Sequence, residues 1–347
     1  MTRSSPTAPV RVARVGLVGL GGHGRTIRDA TEAAANLHVA AVYDPDAGEA
    51  QAAAAQFGCP AAASYEALVA RDDLDAVVLV TPNHVHRAQA EAAFARGLHV
   101  FVEKPIANTV ADGEAMIRAA EAAGRVLAVG HNMRFSRSAR LAQATLAEGR
   151  LGDIVTVEIH FSGDNTRRMA SEAWRLRPDQ CPLLPVMQLG IHALDLVHFL
   201  IGPIADVSAL ARSVTTQPGV VDSVAASFRT AAGPTGTMVS NYCTRVHFAY
   251  RISGTEATLH CTPHTATLLP ADGAPAEEHD FAAAGRESYD RLMADFGDAV
   301  RLGTPPASDG WSGLQALAVV EAMSESAARG ASVSVSRFTH SAEAHVA

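Results

Sequence analysis

Apolar positions fall into two textures along this chain. Up to about residue 130, short β-branched runs alternate with alanine-rich stretches at helical spacing. "RVARVGLVG" reads as a strand ending at Gly19, and "HGRTIRDATEAAA" as the helix that follows. "LHVAAVYD" and "DAGEAQAAAAQF" make a second strand–helix pair, stopped at Gly58. "SYEALVAR" is a short helix with Ser64 as its N-cap. "DAVVLVTP" is a third strand, "HRAQAEAAFAR" a helix ended by Gly97, and "LHVFVEKP" a fourth strand. "TVADGEAMIRAAEAA" is a helix bounded by Thr109 and Gly124, before a fifth strand, "RVLAVG". Parallel strands with crossover helices give a doubly wound sheet.

After Gly130 strand-like runs succeed one another: "DIVTVEIHF", "DVSALARSV", "VDSVAASFRT", "GTMVSNYCT", "AYRISG", "ATLHC" and "ATLLP". They predict a largely antiparallel sheet with helices on one side, at about 136–149, 186–201, 286–302 and 310–329. "HTATLLPADGAPAEEH" reads as an exposed excursion. The expected organisation is a disordered tail at 1–10, a nucleotide-binding domain at 11–130 and an α+β domain at 131–347.

Composition agrees with two folded domains: 347 residues, 48% hydrophobic. The net charge is −8 without a Lys/Arg cluster, which argues against a nucleic-acid partner. No apolar run reaches membrane-spanning length, and "MTRSSPTAPVRVAR" lacks the apolar core of a signal peptide. Cys59, Cys181, Cys243 and Cys261 have no Cys-x-x-Cys spacing, so neither a metal site nor a redox motif is expected, and the location expected is cytoplasmic.

Candidate chemistry begins at "VGLVGLGGHGR", which contains Gly19-x-Gly21-x-x-Gly24, with Gly22 and His23 inside the turn. The motif ends a predicted strand and opens a predicted helix, and Asp44 ends the next strand twenty residues after Gly24. This is the dinucleotide fingerprint: glycines let backbone approach pyrophosphate, and the helix N-terminus faces the phosphates. Asp44 is placed for a ribose 2′-hydroxyl and would repel a 2′-phosphate, so NAD is expected over NADP.

Two further strand ends point at the same crevice. One supplies Thr81, Pro82, Asn83 and His86; the other supplies Glu103, Lys104 and Pro105. Lys104 is either a solvated strand-end lysine or a cation that holds a substrate hydroxyl. His84 and His86 read as helix-start histidines before they read as metal ligands.

The apolar helix "VMQLGIHALDLVHFLIG" carries Gln188, His192 and Asp195. At about 100° per residue they lie near about 0°, 40° and −20°, on one face. From the residues alone, a satisfied core histidine is the plainer reading of His192. Upstream, "RRMASEAWRLRP" brings Arg167, Arg168, Trp174, Arg175 and Arg177. This is a solvated basic loop, or a set of contacts for a carboxylated or phosphorylated substrate.

Together these motifs resemble the Gfo/Idh/MocA family of NAD(P)-dependent oxidoreductases. The resemblance runs through Gly19/Gly21/Gly24, Thr81-Pro82-Asn83, Glu103-Lys104-Pro105 and "VGHNMRF", then "GIHALDLVHFLIG" and the C-terminal helix pair. It implies an N-terminal Rossmann domain and a C-terminal α+β domain with a large, open, mostly antiparallel sheet. That sheet implies a homodimer or homotetramer. The implied reaction is hydride transfer between NAD and a secondary hydroxyl of a sugar, cyclitol or nucleotide sugar. Lys104 orients the hydroxyl and His192 takes its proton; Asn132, Arg134, Trp174, Arg175 and Gln188 join them in binding substrate. Some relatives are instead glycosidases using bound NAD for transient oxidation, or non-catalytic dinucleotide-binding regulators. Two departures stand out. Gln188 occupies a position that is often Asp in the family, and "CPLLPV" replaces a glycine-rich turn. An amide cannot act as a relay base, so His192 must pass its proton elsewhere.

Overall fold

The computed structural model describes residues 12–338, so the tail expected at 1–10 lies outside the described residues. Five strands, β1 (Ala13–Val18), β2 (Leu37–Tyr43), β3 (Ala76–Leu79), β4 (His99–Val102) and β5 (Leu127–Val129), form a parallel sheet in the order β2-β1-β3-β4-β5. Strand order reverses between β1 and β3, so a ligand crevice opens at their C-terminal ends. Five helices connect and cover the strands: α1 (Gly24–Ala33), α2 (Ala47–Phe57), α3 (Tyr65–Val69), α4 (His86–Ala95) and α5 (Val110–Ala123). Their ends follow local chemistry. Asp46, Ser64 and Thr109 cap α2, α3 and α5 through side-chain oxygens, and left-handed Gly58 and Gly124 close α2 and α5.

The second sheet has nine strands. These are β6 (Ile154–Asp164), β7 (Ile204–Arg212), β8 (Ser223–Thr230), β9 (Thr235–Asn241), β10 (Cys243–Gly254), β11 (Ala257–Cys261), β12 (Thr265–Pro270), β13 (Glu277–Asp280) and β14 (Val333–Ser334). Their order is β13-β12-β11-β10-β6-β9-β8-β7-β14. Among the described strands of this sheet, only β6 and β9 pair in parallel. One face packs against α6 (Arg137–Ala147), α7 (Ile191–Leu200) and α9 (Gly310–Arg329). Along β8 the burial alternates strictly, with Val224, Ala226 and Phe228 inward and Ala225, Ser227 and Arg229 outward.

Several expectations change. The excursion at 264–279 is a β12–β13 hairpin at the sheet edge. The strand expected through "NYCT" breaks at Tyr242, and Cys243 starts β10 instead. α8 (Glu287–Leu302) does not stay with the second sheet. Leu292, Met293 and Phe296 close the core over β1 and α1, with Phe296 against Phe101 at 5.7 Å. The C-terminal helices thereby bind the two domains together.

The helix expected at 186–201 begins as a π-turn, Val186–Gly190, and is α-helical only from Ile191. Ser240 of β9 holds this wide turn against the sheet, its hydroxyl shared between the Pro185 carbonyl at 3.0 Å and the Phe161 carbonyl at 2.9 Å. A π-turn inside a helix shifts side chains off the α-helical wheel.

Candidate active site

Gly19 follows β1 with φ of 84°, and a Cβ there would lie 2.4 Å from the Val80 carbonyl oxygen. A Cβ on Gly24 would lie 2.2 Å from the Gly19 carbonyl oxygen. Gly22, by contrast, opens on empty space, and Gly21 touches only Glu49. The turn is therefore packed hard on its inner side and open on its outer side. Unlike α2, α3 and α5, α1 has no side-chain cap, and its first turn holds no acidic residue. That is an N-terminus shaped for phosphate. Asp44 closes the far end: its Oδ2 accepts from Leu20 N at 2.6 Å and its Oδ1 from Asp46 N at 2.8 Å. The Arg25 guanidinium at the same lip is paired with Glu49.

Across the switch point, Asn83 and Glu103 are buried, yet Asn83 Nδ2 and Glu103 Oε1 have no hydrogen-bond partner. His23 Nε2 stands 3.5 Å from Glu103 Oε1, with the His23 ring edge-on to Tyr289 at 5.5 Å. Burial pushes the Glu103 carboxyl up, but His23 and Lys104 outweigh it and hold it below its ordinary value. A dinucleotide fits this donor set: glycine cradle, uncapped helix, ribose carboxylate, and buried polar atoms awaiting partners. Thr81 Oγ1 donates to Gln89, leaving Pro82 half-buried beside it.

His86 sits apart from the expected cofactor contacts. It is fully buried, with its ring nitrogens 3.0 and 2.9 Å from the Pro105 and Thr81 carbonyls. It braces the two strand ends rather than reaching a ligand.

The Lys104 side chain leaves this brace toward the second domain, where Nζ donates to the Gln188 carbonyl at 3.0 Å. Burial lowers its pKa, with Glu103 opposing and Arg175 adding to the shift. His192 is 6% exposed, and its Nδ1 has no hydrogen-bond partner. Burial first, then Lys104, His131 and His23, hold its pKa well below the usual histidine range. His192 is thus a neutral imidazole within the electrostatic reach of Lys104, and neutral is the form a proton acceptor needs.

The single polar face expected of Gln188, His192 and Asp195 is divided between different partners. Gln188 Oε1 accepts from Arg175 Nε at 2.9 Å, and its Nε2 donates to Cys181 Sγ at 3.4 Å. Asp195 is fully buried and paired two-pronged with Arg134, Nε–Oδ2 at 2.7 Å and Nη2–Oδ1 at 2.5 Å. Arg134 also donates to the Ala307 carbonyl at 2.8 Å. In place of the substrate contact expected of it, Arg134 makes this buried structural pair and the bond to Ala307, which fix its guanidinium within the protein. Asn132 is buried and donates to Ser288 Oγ at 3.0 Å. Trp174 meets His84 edge-on at 6.1 Å and carries the Arg175 guanidinium over its ring at 4.5 Å. Arg167 and Arg177 are exposed. In "CPLLPV", Leu183 adopts φ of 47°, a left-handed conformation that glycine takes without strain.

Sequence reasoning missed two residues here. His131 follows β5 and is fully buried with neither ring nitrogen hydrogen-bonded; its ring is perpendicular to that of His192 at 5.9 Å. Its position after a parallel strand was the available signal. Cys181 had no such signal, since its contact with Gln188 depends on the π-turn.

Buried imidazoles also set a stability limit. His86, His131, His192 and His198 are all held below the ordinary value chiefly by burial, His198 at about 4. On unfolding they take up protons once pH falls below about 6.5, which favours the unfolded chain by up to ~1.4 kcal/mol per pH unit for each group. Stability is therefore full above that value and is lost as pH falls toward the depressed folded values. Thermal melts from about pH 7.5 to about pH 5 should show a steep drop in Tm. A flat profile across that window would contradict the buried, neutral assignment.

Comparison with known proteins gives this geometry a family. Residues 13–131 match the profile described as "Oxidoreductase family, NAD-binding Rossmann fold", and residues 139–260 match the GFO/IDH/MocA C-terminal domain. The chain belongs to the Gfo/Idh/MocA oxidoreductase family. D-xylose 1-dehydrogenase (NADP(+)) 2 of Haloferax volcanii is 31% identical over 86% of this chain and 93% of that protein. Inositol 2-dehydrogenase of Rhizobium meliloti is 27% identical over 91% of this chain and 97% of that protein. Levoglucosan dehydrogenase, solved with NADH and levoglucosan, shares the fold with a TM-score of 0.87, at 22% identity over 94% of this chain and all of that one. Among the described residues no helix is long and apolar enough to cross a membrane, and no group of His, Cys, Asp or Glu is placed to hold a metal ion.

Proposed function

We propose that this oxidoreductase transfers a hydride between NAD and a secondary hydroxyl of a sugar or cyclitol, with Lys104 and His192 acting on that hydroxyl. The observation that carries the reading is a lysine that reaches the Gln188 carbonyl, four residues before a buried histidine whose pKa its charge helps to depress. Bound NAD supplies the hydride acceptor. Lys104 donates to the substrate oxygen and stabilises the negative charge that grows as its proton leaves. His192 receives that proton. The sugar and cyclitol substrates in the names of the Haloferax and Rhizobium relatives support the substrate class.

Asp44 favours NAD over NADP, and the nearby Arg25 is paired with Glu49. Asp44→Ser removes a charged acceptor from the ribose and should raise KM for NAD on the order of tenfold, with KM for NADP unchanged or lower. Steady-state kinetics with both cofactors checks this; an equal rise for both would sink the assignment.

The same reading includes assembly through the outer face of the nine-stranded sheet, where Thr156, His160, Thr237 and Val239 are accessible. Four free cysteines, three of them buried, fit a reducing cytoplasm.

Purified protein mixed with NAD and a panel of aldoses, polyols and cyclitols tests the function through NADH absorbance. Turnover on at least one member is expected. Cleavage of glycosides without net NADH would instead favour the glycosidase chemistry of some relatives, and NAD binding without any turnover a regulatory role.

A further inference from the structure

Two cations converge on one neutral residue in this site. Lys104 Nζ donates to the Gln188 main-chain oxygen at 3.0 Å, and Arg175 Nε to the Gln188 side-chain oxygen at 2.9 Å. Gln188 is 6% exposed, and its amide nitrogen is taken by Cys181 Sγ, so its orientation is fixed. The Arg175 guanidinium is held as well, its central carbon over the Trp174 ring at 4.5 Å from the ring centre. Among the described residues Arg175 forms no ion pair, and its two terminal nitrogens make no hydrogen bond. Glu103 is the acidic neighbour of Lys104, and it also faces His23. A carboxylate at position 188 would neutralise Arg175; the amide there leaves a half-buried guanidinium without a counterion.

We propose that the substrate is a sugar acid, whose carboxylate is received by the terminal nitrogens of Arg175 while Lys104 holds a neighbouring hydroxyl. Two parallel N–H groups match the two oxygens of a planar carboxylate. With Glu103 offsetting Lys104, one unneutralised guanidinium balances one negative charge, whereas a phosphate dianion would leave one charge uncompensated. Gln188 is then a positioning residue, aiming Arg175 by its side chain and Lys104 by its carbonyl. The inference rests on the dehydrogenase reading for the hydroxyl, whereas its test reads binding alone.

Isothermal titration of the NAD-loaded full chain would compare matched pairs: glucose with glucuronate, galactose with galacturonate, xylose with xylonate. In at least one pair the acid should bind at least about tenfold tighter than its neutral partner, with a ratio that falls as salt is added. Arg175→Lys should keep part of that preference and Arg175→Gln should bring the ratio close to one. The proposal is overturned if no acid outbinds its neutral partner, if Arg175→Gln keeps the preference, or if glucose 6-phosphate outbinds every acid. Absence of NADH formation with bound acids would count against the dehydrogenase reading while the binding preference stood.

Discussion

Lys104→Met should lower kcat by about 10³-fold while NAD affinity stays within about a factor of two. Methionine keeps the length and apolar stem of lysine but removes the donor that holds the Gln188 carbonyl and that, in the proposed reaction, meets the substrate oxygen. The cofactor cradle at Gly19–Gly24 and Asp44 is untouched, so binding and turnover separate. The change also alters His192. The Lys104 charge is the largest contribution after burial to its depressed pKa, so removing it lets that pKa rise toward the ordinary value. The acidic limb of the residual pH–rate profile should shift upward accordingly. Equal loss of NAD binding and turnover, or an unmoved acidic limb, would mean that Lys104 supports the fold rather than the chemistry.

Arg134→Met should destabilise the protein by about 3–5 kcal/mol, because it strands a fully buried carboxylate. Arg134 ties three segments together: the turn after β5, α7 through Asp195, and the loop before α9 through the Ala307 carbonyl. Its guanidinium also lies 5.3 Å from the Phe199 ring centre. The arrangement makes the charge of Asp195 the main source of the cost. Removing that charge too, in Arg134→Met with Asp195→Leu, should recover more than half of the loss. Urea unfolding of the single and double variants would measure both; a double variant as unstable as the single would place the cost in packing instead.

The first domain was legible because its signals are local. Gly58 and Gly124 stop helices by adopting left-handed conformations, Asp46 and Thr109 start them, and β-branched runs lie between. The fingerprint glycines were readable for the same reason, since a Cβ at Gly19 or Gly24 would strike the backbone. In the second domain, edge strands such as β13, Glu277–Asp280, carry no apolar alternation and showed no pattern. At the site, Lys104 and His192 stood out as residues with chemistry at telling positions. Their partners did not. The wheel placed Gln188, His192 and Asp195 together because it assumed an α-helix. A π-turn held by Ser240 sends Gln188 to Arg175 and Cys181, while Asp195 pairs with Arg134. No spacing rule contains Ser240, which is distant in sequence and arrives only when the second sheet forms.

Hydride transfer at a hydroxyl held between Lys104 and His192 is tested most directly by following the label. A substrate deuterated at its carbinol carbon, turned over with NAD by the intact protein, should yield NADH carrying one deuterium per molecule, with a slowed hydride step for the labelled substrate. His192→Ala should lower that rate by about 10²-fold or more without changing where the deuterium goes. Deuterium released to solvent, or NADH formed without it, would contradict the account.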